Sequence, residues 1–236
     1  LNVKYIAKVN PKYFAIASLF MAKNDIRRHL NGVAIQPHHE KGVVLVATNG
    51  HIMCAIHDPD GHVTQDIIVG EIPKNILKPH KKKGELIPSS LWIGDNCAVL
   101  QGRAATENWE EPQKPPESPF SEDSLDAAKI ELIDGKFPDW RRTLKADRNN
   151  SGEAVSFNPK YLSLFQEVGK IIGSGIMGVT TFTGDWNDSA LIRISVAGDP
   201  HLDDGFLAAL MPMKTIHSGT YDNPVPECLR VPAKAE

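Results

Sequence analysis

The chain has little cysteine and few aromatics: Cys54, Cys97 and Cys228 are its three thiols, and Phe, Trp and Tyr together make up 7% of its 236 residues. An odd number of widely spaced cysteines excludes a disulfide frame and a cysteine-based zinc site. Cys54 and Cys97 lie inside apolar strand-like runs and read as buried free thiols. No stretch approaches the roughly 18 consecutive apolar residues of a membrane-spanning helix. Leu1-Asn-Val-Lys-Tyr5 lacks a basic segment followed by an apolar one, so the expectation is a cytosolic protein with no membrane partner. In that setting the sequons Asn149-Asn-Ser151 and Asn187-Asp-Ser189 are chance matches. A large charge excess is also missing. The net charge of −3 argues against a protein that grips a polyanion with its whole surface, and leaves room for a local basic face.

Catalytic patterns are absent as well. Gly173-Ser-Gly-Ile-Met-Gly178 follows a helical pattern, whereas a phosphate-cradling loop precedes one, so its glycines read as a cap and a turn. No serine sits in a Gly-x-Ser-x-Gly elbow. His51, His57 and His62 lack metal-ligand spacing, and His38-His39, taken as strand neighbours, would point to opposite faces. Asp134 and Asp139 flank a turn and read as its hydrogen-bonding residues. The expectation is a protein without enzymatic activity, cofactor or metal.

What is present is a repeat. Val9-Asn-Pro-Lys-Tyr-Phe14 returns as Phe157-Asn-Pro-Lys-Tyr-Leu162, each time after a strand-like run and before a helical one. Asn10 and Asn158 suit a helix N-cap, and Pro11 and Pro159 suit the first helical position, where a missing N–H costs nothing. From Pro159 to Ile172, residues Tyr161, Leu164, Phe165, Val168, Ile171 and Ile172 recur at helical spacing on one face. The first helix is expected from Pro11 to about Ile26.

Strand-like runs follow each helix, giving a unit of strand, helix and three strands. The first unit covers residues 1 to about 58, with strands over Val3–Lys8, Leu30–Gln36, Gly42–Asn49 and His51–His57. The second opens at Ile67, has a short helix from Pro73, and continues in strands over Ser90–Gly94, Cys97–Gly102 and Lys129–Ile133. Between the last two lies an acidic, proline-rich insertion, about Thr106–Asp126, that cannot bury enough apolar surface to order itself and is expected to be a mobile loop. Trp109 and Phe120 in it are candidates for a linear interaction motif. The third unit spans Ala154–Met213, with strands Ala154–Phe157, Gly178–Thr183, Ala190–Val196 and Phe206–Met211. The fold class is α+β: repeated units with antiparallel sheets and helices on one face. The divisions are 1–143, a complete two-unit domain; 144–214, a single unit; and an extended tail from Thr215.

Three segments taken in order carry a resemblance: Leu30-Asn-Gly-Val33 with Ala47-Thr-Asn-Gly-His51, then Leu132-Ile-Asp-Gly-Lys-Phe-Pro-Asp-Trp-Arg-Arg-Thr-Leu144, then Leu210-Met-Pro-Met-Lys214. Together they resemble the bacterial DNA sliding clamp, the β subunit of DNA polymerase III, in a shortened form matching its middle domain and the second half of its last. The resemblance implies the DNA-clamp fold and a cleft for short linear peptides of polymerases and other replication or repair proteins. Its residues would be Leu30, Thr48, Gly50, His51, Ile52 and Met53, then Pro138, Arg142 and Thr143, then Ala209, Met211, Pro212 and Met213. Flexible methionines suit a groove that accepts several apolar anchors. Two departures stand out: Asn49-Gly-His-Ile52 replaces the family's more usual Asp-Gly-His-Arg, and Ala209 is smaller than the usual branched residue.

The resemblance also implies helices facing duplex DNA without reading its sequence. Lys12, Lys23, Arg27, Arg28, Lys74, Lys78, Lys81, Lys82, Lys83, Lys160 and Lys170 fit that role. Acidic residues gather instead in the insertion and in an expected loop holding Asp199, Asp203 and Asp204. Three units per chain imply a homo-oligomer if a ring forms, four copies restoring the family's unit count with a new interface at the unpaired third unit. The alternative is an adaptor or competitor of a clamp that keeps the cleft and forms no ring.

Overall fold

The structure is a computed structural model describing residues 3–77, 83–144, 155–173, 176–184 and 188–214. In chain order the elements are β1 (Tyr5–Val9), α1 (Pro11–Ser18), β2 (Val33–Pro37), β3 (Val43–Thr48), β4 (Ile52–Asp58), β5 (His62–Val63), β6 (Ile67–Val69), β7 (Leu86–Gly94), β8 (Cys97–Ala104) and β9 (Ser124–Lys129). They continue with α2 (Pro159–Leu162), α3 (Leu164–Ile172), β10 (Ile176–Phe182), β11 (Ala190–Val196), α4 (Pro200–Gly205) and β12 (Phe206–Leu210).

The strands form two sheets, antiparallel at every pairing, in the orders β5-β1-β7-β8-β9 and β10-β11-β12-β4-β3-β2-β6. The first two units exchange their opening strands: β1 of the first pairs with β7 of the second, and β6 of the second pairs with β2 of the first. The third unit joins through its last strand, Ala209 opposite Met53 and Leu210 opposite Ile52, so one sheet runs unbroken from the third unit through the first to the opening strand of the second. Alternation along each strand places Leu45, Ile52, Cys54, Ile56 and Ala208 in the main core with α1 and α3, while Val44, Val46, Met53, Ala55 and Ala209 form a second apolar cluster.

Both repeated helix starts are capped as the residues dictate. Asn10 accepts from the Lys12 amide and Asn158 from the Lys160 amide, each followed by proline. The first helix is shorter than its apolar pattern suggests. It ends at Ser18, whose hydroxyl donates to Phe14 O, and Asp25 and Asn31 exchange side-chain and backbone hydrogen bonds to close a loop that leaves Ile26 fully solvated. The second helix breaks into α2 and α3 at Ser163. Over Lys74–Ile76 there is a turn, not a helix.

The second unit's last strand is Ser124–Lys129, earlier than the expected Lys129–Ile133; beyond it Leu132 bridges Val69. Residues 155–157 join neither sheet, although the Met213 amide donates to Ser156 O. The acidic insertion is fastened, against expectation. Buried Arg103 donates to Asn108 O and Glu111 O, and Gln113 bonds Ser89, Ser90 and Gly102 O, so polar side chains order a segment that lacks an apolar core. The expected loop at Asp199–Asp204 is the short helix α4, with Asp199 as its N-cap and a further bond from the Tyr13 hydroxyl. Ala154, the tail from Thr215 and Cys228 lie outside the described residues. Cys54 is buried and Cys97 partly buried, both as free thiols.

Candidate functional site

The three motif segments meet at the junction of β4 and β12. The hairpin joining β3 to β4 is built by its own side chains: Asn49 Oδ1 accepts from the amides of His51 and Ile52 at 3.0 and 3.1 Å, and the Gly50 amide donates to Thr48 Oγ1. Gly50 has φ of +88°, and a Cβ there would stand 3.1 Å from the Arg27 guanidinium. Asn49 therefore does the turn work that an aspartate would do, so the change from Asp to Asn leaves the turn intact. The ladder then continues past the end of β12, with the Met211 amide donating to His51 O at 2.8 Å.

The link between units lies over this junction. Phe137, buried, and Trp140, half-buried, pack on the second apolar cluster with Ala34, Val46, Met53 and Ala209, and the Trp140 indole donates to Gln36 Oε1. Thr143 Oγ1 donates to Trp140 O and stands 3.3 Å from Met53 Sδ. Pro138 and Arg142 are exposed at the rim, with Arg142 paired to Asp139 at 3.0 Å. On the other side, Met211 and Met213 are 51% and 45% exposed, large apolar side chains turned to solvent. The result is a patch with Met53 and Ala209 in its floor, the Phe137–Thr143 segment along one side and flexible methionines along the other.

The structure sorts the thirteen residues named from the sequence. Thr48, Met53, Thr143, Pro138, Arg142, Ala209, Met211, Pro212 and Met213 belong to this patch or its rim. Ile52 does not: alternation puts its side chain in the main core, 1% exposed, on the face opposite Met53. Leu30 is buried beneath the surface, and Gly50 shapes the turn. The His51 ring stacks on Tyr161 at 5.7 Å, toward a different concavity. Sequence reasoning missed Phe137 and Trp140 as the pins of the link. Two aromatics three residues apart in an otherwise polar stretch were the available signal.

That other concavity, about 1280 Å³, lies between the end of α1, residues 71–77 and α2–α3. Leu19, Ile72, Tyr161 and Leu164 line it, and Lys23, Lys74, Lys160 and Lys170 stand among Asp25, Glu71 and Glu167. Several of the cations proposed for DNA are already engaged. Arg27 pairs with Asp25 at 2.9 Å, Arg28 with Glu131 at 2.7 Å and Lys170 with Glu167 at 2.6 Å. The Arg27 guanidinium holds the Asp25 carboxyl at about 2, well below the usual carboxylate range. Lys83 donates to Ser124 O at the start of β9, Lys12 is half-buried at the start of α1, and Lys78, Lys81 and Lys82 lie outside the described residues.

His38 and His39 do not point to opposite faces. They sit in the turn after β2, where their rings are 4.2 Å apart and His38 lies 4.1 Å from His57. Burial first, then the neighbouring imidazoles, push His38 below the ordinary imidazole range. Among the described residues no group of His, Cys, Asp or Glu is arranged to hold a metal ion.

The sequence matches no protein-family model and no curated protein. Solved structures are another matter. The Pseudomonas aeruginosa DNA polymerase sliding clamp superimposes with a TM-score of 0.53 at 17% identity, over 89% of this chain and 66% of its own. The Helicobacter pylori β clamp gives 0.57 at 12% identity over 91% and 68%, and the Thermotoga maritima DNA polymerase III β subunit 0.52 at 13% over 91% and 67%. This chain has the sliding-clamp fold in a shortened form. It spans about two thirds of the length of those clamps.

Proposed function

We propose that this clamp-like chain is a non-enzymatic peptide-binding protein of DNA replication, with the patch between Met53, Trp140 and Met213 as the seat for short linear motifs bearing apolar anchors. The observation that carries this reading is the convergence of three sequence-distant motifs on one surface through the His51–Met211 ladder, with two large methionines left exposed. Exposed flexible thioethers beside a rigid floor suit several apolar anchors, and Arg142 supplies a charge at the rim. The smaller Ala209 deepens the floor toward bulkier anchors.

The test is a fluorescence-anisotropy titration with a short peptide carrying leucine and phenylalanine anchors. Saturable binding to the wild type, weakened about 10-fold or more in Met213→Ala and in Met53→Ala, is the expected result, corresponding to roughly 1.4 kcal/mol or more. A wild type that does not bind, or variants that bind equally well, would sink the assignment.

For duplex DNA we propose weak, sequence-independent contact through Lys23, Lys74 and Lys160 beside the helices. Log affinity should then fall with log salt by about 0.9 per phosphate neutralised. The pairing of Arg27, Arg28 and Lys170 with carboxylates favours a second reading, an adaptor that occupies or presents clamp-binding peptides without enclosing DNA. Salt-independent retention on closed circular DNA that is lost on linearisation separates the two, because only an enclosing ring shows it.

A further inference from the structure

We propose that the third unit is a half-domain completed by a second copy of the same chain, through reciprocal exchange of residues 155–157 onto β10. The argument starts from a rule that the first two units obey. In each, the residues just after the last strand pair antiparallel with the unit's own opening strand: Val63 opposite Ala7 in the first, Leu132 opposite Val69 in the second. The opening strand then crosses to the other unit's sheet, β1 onto β7 and β6 onto β2.

The third unit repeats the first half of this rule and stops. Its Met213 amide bonds Ser156 O, placing residues 155–157 where β1 and β6 stand in their units, directly before the Asn158 cap as β1 stands directly before Asn10. Among the described residues no second sheet receives this segment, and β10 ends its sheet with no opening strand added to it. The strands that do receive one are covered, with Val33 and Ile35 of β2 both 0% exposed, whereas Val179 and Phe182 of β10 are 44% and 47% exposed.

The sequence of this edge sharpens the choice. Exposed edge strands are ordinarily guarded by charge, and β9, the edge of the other sheet, carries Asp126 and Lys129. Residues 178–182 of β10 carry none. Register assigns the contacts: Phe157 stands before its cap as Val9 does before Asn10, and Val155 two residues earlier matches Ala7, both of which enter the main core. Phe157 already packs at the edge of that core, and Val179, opposite Ile194, lies on the same side of the sheet. A two-fold axis between two third units would place Val155 and Phe157 of each against Val179 of the other, so the contact closes on itself without propagating. This inference stands apart from the peptide patch, which faces the other side of the sheet.

The experiment is light scattering combined with amide hydrogen exchange on the full chain and on Val179→Lys. The expected wild-type mass is an even multiple of 25.9 kDa, with the β10 amides exchanging on the order of 100-fold more slowly than in the variant. Val179→Lys should halve the mass, and because Val179 is already 44% exposed its circular dichroism should be unchanged. A monomeric or odd-numbered wild type, freely exchanging β10 amides in a wild-type dimer, or a folded variant that keeps the full mass would overturn the proposal. If the variant does not fold, the wild-type mass and exchange decide alone.

Discussion

Two helices in this molecule begin with the same four residues and end in different surroundings. Asn10-Pro-Lys-Tyr13 opens α1, of whose eight residues only Lys12 and Ser18 escape burial; Asn158-Pro-Lys-Tyr161 opens α2–α3, where only Phe165 and Val168 are buried. Their caps are alike to the atom, side-chain oxygen to the amide two residues on, at 2.9 and 3.0 Å. Burial differs because α1 spans β2, β3 and β4 and also reaches β7 of the neighbouring unit's sheet, whereas α3 packs mainly on β10 and α1, with Phe165 reaching Phe206 of β12. The cap is therefore a property of the local sequence, and burial a property of having a partner unit.

The comparison can be broken most directly in the cores. Phe14→Ala, at a side chain with no exposure, should cost about 3–5 kcal/mol in urea unfolding. Phe165→Ala, whose ring meets Phe20 and Phe206 edge-on but whose helix is solvated on one flank, should cost about 3 kcal/mol or less. Equal losses would show that the third unit is as well supported as the first.

A pH experiment sharpens the same contrast. Asp58 at the end of β4 is buried and accepts from the Asn10 amide at 2.6 Å, fastening α1 to its unit. Burial raises its carboxyl above the usual range, so the folded state binds its proton more readily than the unfolded chain. The wild type should gain stability relative to Asp58→Asn as pH falls from that raised value to the ordinary carboxylate range, and the gap should level off below it. Thermal melts across this window check it; a gap that moves the other way refutes the burial argument.

The smallest effect belongs to the caps. Asn10→Ala and Asn158→Ala should each cost about 1 kcal/mol. A much larger loss at Asn10 would show that the cap is coupled to the burial around it.

The caps were legible because a cap and a first-position proline act within a few residues. The same signal stands at Asp199-Pro200, where a loop was expected and α4 formed, so it could have been read there too. The end of α1 was less legible: Ile26 extends the apolar spacing, yet the helix ends at Ser18 and Ile26 falls in a loop closed by polar bonds between Asp25 and Asn31. Strand exchange left no local trace at all, since β1 and β6 look the same in sequence whichever sheet receives them. At the candidate site, strand alternation alone separates Met53 from Ile52, and treating adjacent residues as one lining overlooked it. The fold resemblance itself was readable from three short motifs because the turn at Gly50, the pinned link and the ladder end at Met211 each need particular residues.

The bond from the Met211 amide to His51 O has a consequence for how such a surface changes over evolutionary time. Main-chain groups are common to every residue except proline at the donor, so the relative position of the two walls is set by atoms that substitution leaves in place. Side chains above that seam are then free to diverge. Changes at Ala209 or Met213 would reshape the surface while the alignment of the walls is inherited unchanged.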